Sequence, residues 1–297
     1  MPGELERRWR EVNARLGGRE SIAGRSVEGR PLWRFDLGPR NSDRPPVLLT
    51  ALIHGVEVIG SLALLDVISR LADTAGELRE RTRFVILPVL NPDALALNMA
   101  KLARGRPAAR RKNANGVDLN RNFPTIGSDR PWHPFAGSGL RLSPHYWGPY
   151  ALSEPESRAV HDVAHEVRPP LSLGFHSFGN MLLYPWGHSR TPNPRVGPYT
   201  RLATAFSRAV QQIPYRCGQA IDFYPTVGDL DDWLDATFGT LALTVEVGKL
   251  SKQLFHPLRL LNAFWWMNPM QIEPTVRNVT PGILDLMRAA MIPTAAT

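Results

Sequence analysis

The chain has 297 residues, 43% hydrophobic and 21% charged, with a formal net charge of +8. This is ample for a large buried core, and it excludes a disordered or collagen-like chain. The single cysteine, Cys217, excludes an internal disulfide and a cysteine-rich zinc site, so a reducing, cytoplasmic setting is expected.

The first 16 residues, MPGELERRWREVNARL, read as a short amphipathic helix without the apolar centre of a signal peptide. We take 1–19 as an N-terminal helix. The runs PVLLTALI (46–53), RFVILPVL (83–90), LSLGF (171–175) and LALTVEV (241–247) are short, apolar and rich in Val, Leu and Ile. Such runs mark strands buried on both faces of a mainly parallel sheet. Helical patterns alternate with them at Val58 to Leu71, at 153–167 and at Pro198 to Gln212. The second has Ser153 as N-cap and Pro155 in its first turn. A last helix is predicted from Thr280-Pro281 to Met291.

The segments 97–150 and 213–229 read as long loops, and loops of that length are usually functional. The expected architecture is one α/β domain over 1–297. It has a mainly parallel mixed sheet with helices on both faces, completed by the segment 251–297.

No apolar run reaches the roughly 18 residues that span a bilayer, so no membrane partner is expected. The surplus positive charge is scattered arginine. Its densest group, Arg104 to Lys112, lacks the interleaved aromatics of a single-strand nucleic-acid surface, so no nucleic-acid partner is expected either. The pattern specifies no oligomeric state.

In an open parallel sheet, ligands gather beyond the carboxyl ends of the strands. The first run ends in His54, with Glu57 three residues on; the third ends in His176; the fourth carries Glu246. Two imidazoles and a carboxylate from His54, Glu57 and His176 form a His₂Glu set, the donor number of a catalytic zinc with an open position. Glu246 is then the separate carboxylate that takes a proton from water. A rival pair, His161 and His165, stands at i, i+4 on a helix. Its middle acid is Asp162, and the apolar stripe Val160, Val163, Ala164 and Val167 leaves both imidazoles toward solvent.

HGVE (54–57), NPD (91–93), RRKNANGVDLNRNF (110–123), HSFGNMLLYPWG (176–187), YPTVGDLDDW (224–233) and TVEVG (244–248) stand in this order along the chain. Together these six motifs resemble the signatures of the zinc metallocarboxypeptidases of the carboxypeptidase A/B type. GRSVEGRPL (24–32) resembles a segment near the start of that domain.

The resemblance implies one Zn²⁺ per chain held by His54, Glu57 and His176, with Glu246 as general base. It implies that Arg111 polarises the scissile carbonyl, with the adjacent Arg110 as alternative. Asn120 and Arg121 would grip the terminal carboxylate of a peptide, Tyr224 would close over the substrate, and Asp231 would lie at the pocket floor. A buried Asp231 would favour a basic terminal side chain.

Two departures are Val56, where several digestive members carry arginine, and Ala94, where glycine is usual. The implied activity is zinc-dependent removal of a C-terminal residue. The alternatives are a murein-peptide amidase cutting a γ-D-glutamyl–diamino acid bond and a catalytically inactive peptide-binding module.

Overall fold

The four apolar runs become the centre of the sheet because helices cover both of their faces. The computed structural model describes residues 2–39, 46–73, 75–210, 212–251 and 257–291. Parts of the C-terminal segment, 252–256 and 292–297, lie outside the described residues. In chain order the elements are α1 (Pro2–Arg15), β1 (Arg19–Arg25), β2 (Pro31–Leu37), β3 (Val47–Ala51), α2 (Val58–Asp73), α3 (Gly76–Arg81), β4 (Phe84–Leu87) and α4 (Pro92–Ala103). Then come α5 (Pro155–Val167), β5 (Leu171–His176), β6 (Met181–Tyr184), α6 (Val196–Ala209), β7 (Arg216–Gln219), α7 (Leu230–Phe238), β8 (Leu241–Glu246), α8 (Pro257–Leu260), α9 (Ala263–Met267) and α10 (Ile272–Ala290).

The described strands form one eight-stranded sheet in the order β1-β2-β4-β3-β5-β8-β6-β7. β4, β3, β5 and β8 are mutually parallel, while β2 and β6 flank them antiparallel. This is the mixed, mainly parallel sheet expected from the runs.

Strand alternation sends successive side chains to opposite faces. Leu49, Phe84, Ile86, Leu173, Phe175, Leu243 and Val245 face the larger core under α1, α2, α6 and α10. Leu48, Val85, Leu87 and Ala242 face the smaller core under α5 and α7.

Several boundaries differ from expectation. α10 starts at Ile272, and Pro281 lies inside it. The apolar face that includes Val276, Val279, Ile283 and Leu286 continues through the proline, whose missing N–H costs one helical bond. The cap of α5 is Glu154, without a side-chain bond, because the Ser153 hydroxyl is engaged by Asn122 and Glu154. Residues 97–103 belong to α4, whose buried face carries Asp93 and Asn98 and so escapes a hydrophobic pattern. The edge strand β1 is mostly exposed and shows no apolar run.

β3, β5 and β8 end together, with His176 opposite Glu246 in register. Leu52, just past β3, adopts the left-handed conformation with φ 52° and turns the chain into His54-Gly-Val-Glu57. α2 then packs so close to β5 that a Cβ on Gly60 would sit 2.7 Å from the Phe175 carbonyl oxygen. Asn268 links the C-terminal segment to this turn. Its Oδ1 accepts the Ile59 N–H at 2.9 Å, one of the free donors of the first turn of α2, and its Nδ2 donates to the Val56 carbonyl at 2.7 Å.

Gly55 meets Ala94 across this turn. A Cβ there would lie 2.3 Å from the Ala94 methyl and 2.8 Å from its carbonyl carbon. Gly55→Ala is therefore expected to destabilise the protein by about 1–3 kcal/mol through overpacking, and Ala94→Gly to restore part of that loss. Urea midpoints of the two single variants and the double variant check this. An unchanged midpoint in Gly55→Ala would mean that the turn yields freely.

Candidate active site

His54, Glu57 and His176 converge at the carboxyl ends of β3 and β5. One ligand atom from each lies within 4.8 Å of the others, and all three residues are buried. His54 Nδ1 is 2.9 Å from Glu57 Oε1, and His176 Nδ1 is 3.0 Å from Glu57 Oε2. Burial opposes the charge on Glu57, but His54 and His176 more than offset it and hold the carboxyl below its ordinary range. Among the described residues no other His, Cys, Asp or Glu group meets this condition.

The rival pair is packing instead. His161 stacks on Trp233 at 5.3 Å, and His165 meets Phe238 edge-on at 4.9 Å.

Residues 110–112 divide into three separate contacts. Arg110 turns onto the Lys112, Asn113 and Ala114 carbonyls, the last at 3.1 Å, and makes no bond to His54, Glu57 or His176 among the described residues. Arg111 points inward, with Nε 3.0 Å from Asp118 Oδ2 and Nη1 3.2 Å from Glu57 Oε1. Lys112 Nζ donates to the Ser143 carbonyl at 2.7 Å.

Glu246 receives the Tyr224 hydroxyl on Oε1 at 2.7 Å. Its Oε2 is buried with no partner among the described residues. Burial pushes its pKa up to about 7; His176 and the Tyr224 hydroxyl draw it back, while Glu57 adds to the rise. Tyr224 is itself raised well above its ordinary value, by burial first and then by Glu246.

Arg121 is buried and gives Nε and Nη2 to the Phe135 carbonyl at 3.1 and 2.8 Å, and Nη1 to the Asn120 carbonyl at 2.6 Å. A guanidinium has five N–H donors, so one on each Nη stays available. Asn120 Oδ1 accepts the Leu230 N–H at 3.0 Å, which leaves its amide hydrogens for another partner.

Asn120, Tyr184, Tyr224, Asp229, Asp231 and Thr244 line one small cavity, also bordered by Asp232. Asp232 accepts the Gly187 and His188 N–H groups and the His188 ring. Asp229 accepts the Asp232 N–H at 3.0 Å and the Thr226 hydroxyl at 2.8 Å. Among the described residues the Asp231 side chain has only the Thr244 hydroxyl, and burial pushes its pKa up to about 7 despite that bond.

Residues 10–281 match the family model described as zinc carboxypeptidase. The chain belongs to the zinc carboxypeptidase family. Carboxypeptidase B of Helicoverpa zea is 28% identical over 291 residues, covering 90% of this chain and 64% of that protein. Human carboxypeptidase B is 27% identical over 231 residues, covering 72% and 54%. This chain thus spans less than two thirds of either relative. Carboxypeptidase A from Helicoverpa armigera has a similar structure, with TM-score 0.77 at 25% identity over 95% of this chain and 71% of that one. A murein-tripeptide amidase from Escherichia coli O157 shares the fold, with TM-score 0.58 at 21% identity over 93% of each chain.

The family uses zinc, and the donor set suits it: two imidazoles and a carboxylate, with a buried acceptor, Glu246 Oε2, left over nearby. Further residues hold these groups in place through hydrogen bonds that no sequence pattern marks. Asp118, in the DLNRN motif, accepts His54 Nε2 at 3.0 Å as well as Arg111. Asn98 holds the Gly55 and Arg110 carbonyls at 2.8 and 2.9 Å and accepts the Arg110 N–H. Asp93 of NPD clamps the Ser26 hydroxyl at 2.7 Å and the Glu28 N–H at 2.9 Å. Val56 is buried in the larger core, so it offers the cleft no polar group.

Asp231 predicts a pH dependence of stability. Its folded pKa of about 7 exceeds the ordinary 3.8, so the folded chain holds an extra proton between those values. This contribution is present in full below about pH 4 and is lost as the pH rises to about 7. In metal-free protein, Asp231→Asn should flatten that part of the stability profile and be more stable than wild type at alkaline pH. Denaturant midpoints across the range test this; parallel profiles would show that Asp231 ionises freely.

Proposed function

We propose that this chain is a zinc-dependent exopeptidase that hydrolyses the last peptide bond of peptides carrying a free C-terminal carboxylate, with preference for Lys or Arg at the end. What supports the reading most is the convergence of His54, Glu57 and His176 within 4.8 Å, with Glu246 opposite His176. Bound there, zinc supplies a Lewis acid and lowers the pKa of a coordinated water.

The protein's own groups then have distinct tasks. Glu246 Oε2 accepts a proton from the attacking water and returns it to the leaving amine. A pKa near 7 suits both transfers, and a bound cation would draw it lower. Arg111 directs positive charge to the carbonyl oxygen as its negative charge develops. The spare N–H groups of Arg121 and the Asn120 amide bind the terminal carboxylate, which makes the site select chain ends. Tyr224, anchored on Glu246, covers the cavity that takes the terminal side chain.

The cavity lining contains Asp229, Asp231 and Asp232 and no Lys, Arg or His among the described residues. A lysine or arginine end brings only positive charge there. A diamino acid brings a distal carboxylate beside its amine, which these aspartates repel, so the murein-peptide reading ranks second. The presence of all three ligands and of Glu246 weighs against an inactive binding module.

Glu246→Gln should keep its zinc, measured by metal analysis, and lose at least about a thousandfold in kcat. Near-normal turnover in that variant would remove Glu246 from the reaction. A peptide series differing only in the last residue should give the highest kcat/KM for Lys and Arg. Asp231→Asn should lower those values about 10- to 100-fold while changing Leu or Phe ends less. Release of Leu as fast as Arg by wild type, or cleavage of a wall tripeptide alone, would overturn the preference.

A further inference from the structure

We infer that His145 is a positioning residue for the zinc site, acting through Asp118 on both His54 and Arg111. The inference rests on the reading of the metal ligands and Arg111 given above, and it concerns a residue outside the motifs.

The backbone around His145 is fixed on several sides. The Ser138 N–H donates to the His145 carbonyl at 2.9 Å, the Trp147 N–H to the Ser138 carbonyl at 3.1 Å, and the Asp118 N–H to the Tyr146 carbonyl at 2.8 Å. Lys112 ties Ser143 from the far side. The His145 ring packs edge-on against Phe135 at 5.4 Å between centroids, and its side chain is 14% exposed.

From this position Nδ1 reaches Asp118 Oδ2 at 3.2 Å. Asp118 is fully buried against the Arg111 guanidinium, with Oδ2 3.0 Å from Arg111 Nε. A carboxylate beside that permanent cation accepts, so the His145 ring presents Nδ1 as the donor.

Asp118 therefore has four donors. His54 Nε2 and the Asn120 N–H meet Oδ1 at 3.0 and 3.1 Å; Arg111 Nε and His145 Nδ1 meet Oδ2 at 3.0 and 3.2 Å. Arg111 and His145 hold one oxygen together. Without the His145 bond, the carboxylate is free to turn toward Arg111, and the oxygen under His54 Nε2 turns with it. Because His54 presents Nδ1 to Glu57 at 2.9 Å, a tilt of its ring moves a proposed metal-binding atom.

The test compares three zinc-loaded full-length variants with wild type. His145→Phe keeps a ring against Phe135 without a donor. His145→Asn places an amide N–H near the position of Nδ1. His145→Gln carries its amide one atom too far out, and it serves as the second non-matching variant if the Phe protein does not fold. Zinc release to a chelator, followed with a fluorescent zinc indicator, is read beside kcat, KM and the thermal midpoint.

Phe and Gln should release zinc about 10-fold faster and lose about 10-fold in kcat with KM nearly unchanged, while Asn stays close to wild type. Zinc release by Phe or Gln at the wild-type rate would overturn the inference, as would Asn behaving like Phe or a lowered midpoint with zinc release unaltered. If wild type hydrolyses no peptide, the exopeptidase reading fails, and the zinc-release comparison alone decides the role of His145.

Discussion

Two buried carboxylates govern the centre of this molecule. Glu57 is 2% exposed and Asp118 0%, and neither can stay ionised there without cations and N–H groups around it. The chain meets that demand with two residues that each touch both acids. His54 lies with Nδ1 2.9 Å from Glu57 and Nε2 3.0 Å from Asp118. Arg111 gives Nη1 to Glu57 and Nε to Asp118. An imidazole and a guanidinium clamped at two points have little freedom to rotate. The protein therefore orients by itself the groups that would face a bound zinc on the proposed reading.

A second layer holds those clamps, and it consists of buried amides rather than charges. Asn98 bonds Gly55 and Arg110; Asn91 bonds Ile53 and Arg111; Asn268 bonds Val56 and Ile59. Each fastens the backbone of the HGVE turn to a distant segment. A neutral amide suits this task, because it donates and accepts at once without adding charge to a crowded site. It also explains why the C-terminal segment matters to the turn that carries His54 and Glu57: Asn268 caps the first turn of α2.

This arrangement also separates what the sequence reveals from what it hides. The four central strands were legible because burial on both faces leaves an unbroken apolar run, and the strand-end residues His54, His176 and Glu246 were legible because chemistry follows strand ends. Asp118 was visible inside DLNRN, but its task was not, since two of its partners, His54 and His145, come from remote segments. β1 was missed because an exposed edge leaves no apolar run, and β2 because its buried Leu32, Phe35 and Leu37 are interrupted by Arg34 and Asp36. α4 was missed because its buried face contains Asp93 and Asn98, so its helical period is partly polar. His145 follows a proline in a long irregular segment, where no periodicity assigns a direction to a side chain.

The three aspartates of the cavity show how one acid is kept available among several. Asp229 is spent on the first turn of α7 and on Thr226, and Asp232 on the 187–188 backbone and the His188 ring. The His188 contact matters because burial and Asp229 push the Asp232 pKa up to about 6 even with the His188 ring drawing it back. Among the described residues Asp231 receives one hydroxyl and no ion pair, and the His176 imidazole offsets its burial only in part, which is an unfavourable condition for a buried acid. Natural sequences remove such conflicts from cores, where nothing is gained by keeping them. Persistence of this one at a cavity wall is reasonable only if a visiting group relieves it. A cationic side chain would do so by restoring the charge that Asp231 gives up on burial, and the same contact would pull its carboxyl back toward its ordinary range. On the proposed reading, the strain in the empty pocket and its preference for a basic chain end have one physical origin.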